Sequence, residues 1–167
     1  NRSAVYDEEG KKVEDFGVAL TAMGCEKAAD FVNFCDAFEI PVLTLTSVTG
    51  YKRCDCTERN MAKAAARLTS AFASATVPKV NIITGKAFGT AYLSMNSSSI
   101  GADMVYAWPN AEVGMMDAAT AANVLGTDVL TGVKDAARRG YVDDIIEQSG
   151  IKYDKLKNYV DASLLED

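Results

Sequence analysis

A chain of 167 residues with 49% hydrophobic residues and only three prolines fits one compact domain with a packed core, which excludes a disordered or fibrous protein. Its formal charge of −6, with lysines and arginines scattered along the chain, argues against nucleic acid or an anionic membrane as the main partner. No run approaches the roughly 18 apolar residues of a membrane helix, and Asn1-Arg2-Ser3 leads into a charged stretch instead of a signal-peptide core, so a cytoplasmic protein is expected.

Between residues 25 and 38, Ala28, Phe31, Val32, Cys35 and Phe38 recur at three- and four-residue steps, which predicts an amphipathic helix that buries this stripe and stops before Pro41. Residues 42–46 are short, rich in β-branched side chains and bounded by Pro41 and a turn over 47–50, the pattern of a buried strand. A second helix is expected over 57–75, alanine-rich, with Met61, Ala65, Leu68 and Phe72 on one face. A strand over 79–84 follows, then a small-residue turn at Gly89 that opens a helix running to about residue 98. Residues 104–108 form another buried strand ended by Pro109, and 111–116 one more short strand. Helices are predicted over 118–125 and 127–137, an edge strand or turn over 141–147, and a polar terminal helix over 153–165. Strands alternating with helices require crossover connections, hence an α/β domain with a largely parallel sheet.

The chemistry open to the chain is narrowed by what it lacks. There is no histidine, so Ser-His and Cys-His nucleophiles are ruled out within the chain. Cys54-Asp55-Cys56 does not have the spacing of a zinc or redox pair, and no metal site is expected; Cys25 and Cys35 read as structural thiols. Gly85-Lys86 after a strand invites comparison with a phosphate loop, but that motif needs glycine where Val80 stands and Ser or Thr where Ala87 stands. The turn itself is an anion-site candidate. Gly89 allows close backbone approach, and Thr90 and Ala91 offer N–H groups that begin a helix and have no carbonyl behind them to pair with. An oxygen that turns negative during a reaction could be held there, although a plain close-packing turn has the same spacing. Glu112 and Asp117 are candidate acids or bases beside the alternative of solvated loop carboxylates, and Lys52-Arg53 is most simply a solvent-facing pair.

Several segments resemble, in correct order, the C-terminal half of the β-type carboxyltransferase subunit of biotin-dependent acyl-CoA carboxylases and decarboxylases. They are Lys27 to Phe38 with Ile40-Pro41, Ala75-Thr76-Val77-Pro78-Lys79-Val80, Lys86 to Tyr92, Gly101-Ala102-Asp103, Ala107-Trp108-Pro109-Asn110-Ala111-Glu112, Ala121-Ala122-Asn123 and Arg139 to Glu147. The resemblance implies a crotonase-like fold of stacked ββα units, here one domain, with the N-terminal acyl-CoA domain of that family absent from this sequence. It implies carboxyl transfer between biotin on a separate carrier protein and a short acyl-CoA, with this chain receiving the biotin. By motif position the N–H groups of Thr90 and Ala91 form the oxyanion hole for the ureido oxygen, Phe88, Gly89, Gly50 and Tyr51 lie on the biotin side, and Leu93 stands where acyl-chain selectivity is set. The implied partners are a biotin carboxyl carrier protein, an acyl-CoA-binding N-terminal half and further copies in a homo-oligomer. Thr90 stands where the family usually has a second glycine, and Asp117 where it has a glycine.

Two other readings remain open. A self-contained crotonase-type hydratase or isomerase would use Glu112 for proton transfer and Thr90 and Ala91 to hold a thioester oxygen. A non-catalytic assembly domain of a carboxylase would have closed the pocket.

Overall fold

The computed structural model of the protein describes residues 4–15, 18–52 and 58–147; the expected helix over 153–165, together with Arg53, Cys54 and Cys56, lies outside them. Strands β1 (Ala4–Tyr6) and β2 (Lys12–Asp15) pair antiparallel around a turn in which the Asp7 carboxylate accepts the N–H groups of Glu9 and Lys11. Charge density hid this hairpin from a sequence reading based on apolar periodicity. After β3 (Ala19–Leu20), Thr21 caps helix α1 (Ala22–Ala37) by accepting the Gly24 N–H at 3.0 Å.

Helix α1 buries Ala22, Cys25, Ala29, Val32 and Cys35, a stripe of mostly small side chains. Helix α2 (Glu58–Ser74), lying against it, buries Ala64, Leu68, Ala71 and Phe72. Small residues on both faces bring the two backbones close together, and that displaces the phenylalanines. Phe31 and Phe38, expected in the buried stripe, are instead 62% and 64% exposed. The helical period holds, but the phase of the buried face follows the small alanine and cysteine side chains at the helix contact, not the large rings.

The main sheet is parallel throughout: β4 (Val42–Val48), β6 (Lys79–Phe88), β7 (Met104–Ala107) and β9 (Asp144–Ile145) lie in that order, and β8 (Glu112–Gly114) also pairs with β6. Central strand β6 is ten residues long because its first half pairs with β7 and its second half with β8. Gly85-Lys86, where the sequence predicts the strand to have ended after Thr84, lies within it. The register with β4 does break there, Thr46 facing Ile83 but Val48 facing Ala87, and a Cβ on Gly85 would sit 2.8 Å from the Ser47 Oγ. The turn expected over 47–50 is likewise strand: β5 (Gly50–Tyr51) pairs in parallel with β3 in a separate two-stranded sheet.

One face of the main sheet packs with α1 and α2 around Val42, Val48, Ile83, Val105 and Leu68; Val80, Ile82 and Tyr106 form a smaller cluster of their own. Helix α3 (Gly89–Leu93) follows β6 directly, and a 3₁₀ turn covers Ser98–Ile100. Helices α4 (Ala118–Leu125) and α5 (Val133–Arg138) complete the described residues, α5 being shorter than the helix expected over 127–137.

Candidate functional site

Strands β4 and β6 run side by side, so their C-terminal ends lead into β5 and α3 at the same end of the sheet. Ligands of open α/β sheets gather at such strand ends. There the chain turns from extended Phe88 into the single-turn helix α3 through Gly89 at φ +61°, and a Cβ at Gly89 would lie 3.1 Å from the Met115 carbonyl. Glycine is required for both reasons. Phe88 supplies no side-chain cap, and Thr90 and Ala91, second and third in the helix, have no carbonyl four residues back inside it. Thr90 is exposed, while the Ala91 methyl is buried.

The residues singled out from the sequence are not equally close to this turn. Gly50 and Tyr51 are brought to it: the Tyr51 hydroxyl lies 3.3 Å from the Thr90 carbonyl oxygen and 2.8 Å from the Ser94 Oγ. Leu93, one turn further on, lines with Gly89 a cavity of about 380 Å³ whose apolar walls include Val113, Met115, Leu125 and Leu130. Phe88 is 3% exposed, so its ring faces the core and its backbone alone borders the turn. Glu112 lies on β8 in register with Lys86, bridged on its other side to Gly132, and is not among the cavity-lining residues. Asp117 is the N-cap of α4, its carboxylate accepting the Thr120 N–H at 3.0 Å and the Thr120 hydroxyl at 2.7 Å. Those bonds hold its carboxyl below the usual carboxylate range.

The structure adds residues that the sequence reading passed over. Tyr92 also lines the cavity; burial, with a smaller contribution from the Asp143 charge, pushes its hydroxyl up to about 12, and that hydroxyl finds no partner among the described residues. Ser94 and Thr69 join Tyr51 in a chain of hydroxyls behind the turn. Ser94 stands four residues after Thr90, a spacing that was visible in the sequence, whereas Thr69 is on another helix and gave no such signal. Thiols Cys25 and Cys35 are buried and unbridged. Burial first, then the Glu26 charge, raises Cys25 to about 11, well away from a reactive thiolate. Among the described residues no helix is long and apolar enough to cross a membrane.

Residues 11–128 match the family model of the carboxyl transferase domain. The chain is 43% identical over 150 residues to the propionyl-CoA carboxylase beta chain of Saccharopolyspora erythraea, covering 74% of this chain and 28% of that protein. It is 40% identical over 144 residues to methylmalonyl-CoA decarboxylase subunit alpha of Propionigenium modestum, covering 73% and 28%. Among solved structures, transcarboxylase 12S, a hexamer assembly with hydrolysed methylmalonyl-coenzyme A bound, superimposes with a TM-score of 0.79 at 35% identity over 92% of this chain and 32% of that one. The beta subunit of Pseudomonas aeruginosa geranyl-CoA carboxylase, at 22% identity and a TM-score of 0.77, shares the fold. The fold is therefore the crotonase-like one of the carboxyltransferases, and the chain spans less than a third of the length of the curated relatives it matches. On the match over 11–128 and these likenesses, the chain belongs to the carboxyl transferase domain family.

Proposed function

We propose that this chain supplies the biotin-side half of a carboxyltransferase site, moving a carboxyl group between biotin on a carrier protein and the α-carbon of a short acyl-CoA. The names of its relatives, which act on propionyl-CoA and methylmalonyl-CoA, support that substrate class. Family membership supports the reaction type, and the transcarboxylase hexamer supports an oligomeric assembly in which an acyl-CoA-binding half and a biotin carboxyl carrier protein are the partners. The observation that carries the reading is the Gly89-Thr90-Ala91 turn, where two neighbouring main-chain donors begin a helix with no side chain capping them.

The fit to a cofactor oxygen is chemical. Biotin supplies a ureido group whose oxygen becomes more negative as the carboxyl leaves the ring, and neutral N–H donors fixed in direction favour that charge without reorganising. Gly89, lacking a Cβ, lets the turn pack against the Met115 carbonyl, and Tyr51 braces it from behind through the Thr90 carbonyl. Leu93 and the apolar wall of the cavity offer a surface for the acyl chain. No histidine is needed: the two amides would stabilise the ureido oxygen, and the ureido group freed of its carboxyl would itself accept the α-proton.

Removing one such donor costs about 10²–10³ in turnover. Ala91→Pro deletes one N–H and is expected to reduce carboxyl transfer by at least about a hundredfold in the assembled enzyme. Circular dichroism and a melting curve establish that the variant is folded. Full transfer by a folded Ala91→Pro protein overturns the assignment.

A further inference from the structure

Hydroxyls from β5, from α2 and from Ser94, the C-cap of α3, meet at Ser94 Oγ, which leads to one main-chain carbonyl of the turn. Ser94 Oγ lies 3.1 Å from the Thr90 carbonyl oxygen, Tyr51 on β5 places its hydroxyl 2.8 Å from Ser94 Oγ, and Thr69 on α2 places its own 2.9 Å from the same atom. Ser94 is 4% exposed, so its hydroxyl is shielded from bulk water, while Tyr51 and Thr69 are half-buried. One arrangement of protons gives each of these three contacts a hydrogen. Tyr51 donates to Ser94, Ser94 donates its single proton to the Thr90 carbonyl, and the one Thr69 proton is shared between Ser94 Oγ and the Ala65 carbonyl, each 2.9 Å away. Thr90 O also accepts the Ser94 N–H at 3.1 Å, and Tyr51 at 3.3 Å is close enough to assist.

The Thr90 carbonyl and the Ala91 N–H are the two ends of one planar peptide unit, pointing in opposite directions. Pinning the carbonyl therefore aims the N–H. Donation into the carbonyl also draws electron density away from the amide nitrogen and strengthens it as a donor, as in any polarised hydrogen-bond chain. We propose that Ser94, held by Thr69 and Tyr51, is a positioning residue that aims and strengthens the Ala91 N–H toward the oxygen bound at the turn. The proposal rests on the oxyanion reading given above, and adds to it a support that touches neither biotin nor acyl-CoA.

The test uses the full chain in its assembled enzyme, with Ser94→Ala, Thr69→Val and Thr69→Ser. Ser94→Ala is expected to lower kcat about tenfold with KM for the acyl-CoA unchanged, a loss smaller than deleting the donor outright because the N–H is still present. In an amide spectrum of the ¹⁵N-labelled chain the Ala91 proton resonance should move upfield, while that of Thr90, which belongs to the Gly89 peptide unit, should hold. Thr69→Val should repeat both effects more weakly, and Thr69→Ser, which keeps the hydroxyl, should restore them. An unmoved Ala91 resonance in Ser94→Ala overturns the proposal, whether kcat is retained or falls only in step with melting temperature. If the resonance moves but Ala91→Pro still transfers carboxyl groups, the oxyanion reading falls and takes the proposal with it.

Discussion

Asp36 shows how one side chain can tie two distant parts of the chain. Its Oδ1 accepts the Thr76 N–H at 2.6 Å, the Thr76 hydroxyl at 3.1 Å and the Val77 N–H at 3.2 Å, fastening the end of α1 to the segment that leads into β6. The Thr76 amide is the largest cause holding this carboxyl below its usual value of 3.8. A depressed folded value means the ionised form is favoured by folding, so the stabilisation is present above the unfolded value and is lost as pH falls through the folded one. The melting temperatures of the wild type and Asp36→Asn should therefore differ at neutral pH and converge below about pH 4. A gap that persists unchanged into strong acid would show that the charge contributes nothing. The sequence displayed Asp36 within a helix pattern, but a partner forty residues away is outside anything periodicity can report. Asp117 teaches the reverse, since Asp followed three residues later by Thr120 at a helix start is a local signal of a cap, and the structure gives it that role.

Helix α3 ends at Leu93, five residues before the predicted end, and the cause lies in the strand before it. Asn81, fully buried on β6, accepts the Thr46 hydroxyl at 2.7 Å and donates to the Met95 carbonyl at 3.2 Å, while Asn96, in the left-handed region at φ 56°, donates to the Thr44 hydroxyl at 3.3 Å. These polar side chains capture the segment after α3 and fold it back over the sheet before another helical turn can form. Replacing Asn81 with Leu removes the acceptor of Thr46 and a donor to Met95 in a dry interior, so unfolding free energy should fall by about 1–3 kcal/mol in denaturant titrations. A neutral result would mean that the tether is idle. The run Val80-Asn81-Ile82-Ile83 was legible as a strand from its apolar content, and the Gly89 turn from its small residues. The length of α3 was not legible, because the polar residue that limits it sits inside the strand and reads as an interruption.

Parallel pairing of β4 with β6 brings residues 50–51 to residues 89–94, where the half-site is proposed. The chain spans less than a third of its relatives, and in the proposed reading the turn serves the ureido side of the reaction, not a coenzyme A thioester. The three readings open at the sequence level therefore separate by ligand. Free biotin stands in for the carrier-bound ring, and in an amide titration of the ¹⁵N-labelled chain it should produce saturable shifts confined to Gly89, Thr90 and Ala91. Propionyl-CoA alone should leave those three resonances in place. The opposite pattern, with shifts on propionyl-CoA and none on biotin, would favour a hydratase or isomerase, and Glu112→Gln would then abolish its turnover. The position of Glu112 on β8, in register with Lys86 and not itself lining the cavity, argues against that outcome. No response to either ligand, with stable binding of a biotin-carrier protein, would mark an assembly domain and leave the Ser94 hydroxyl chain as packing alone.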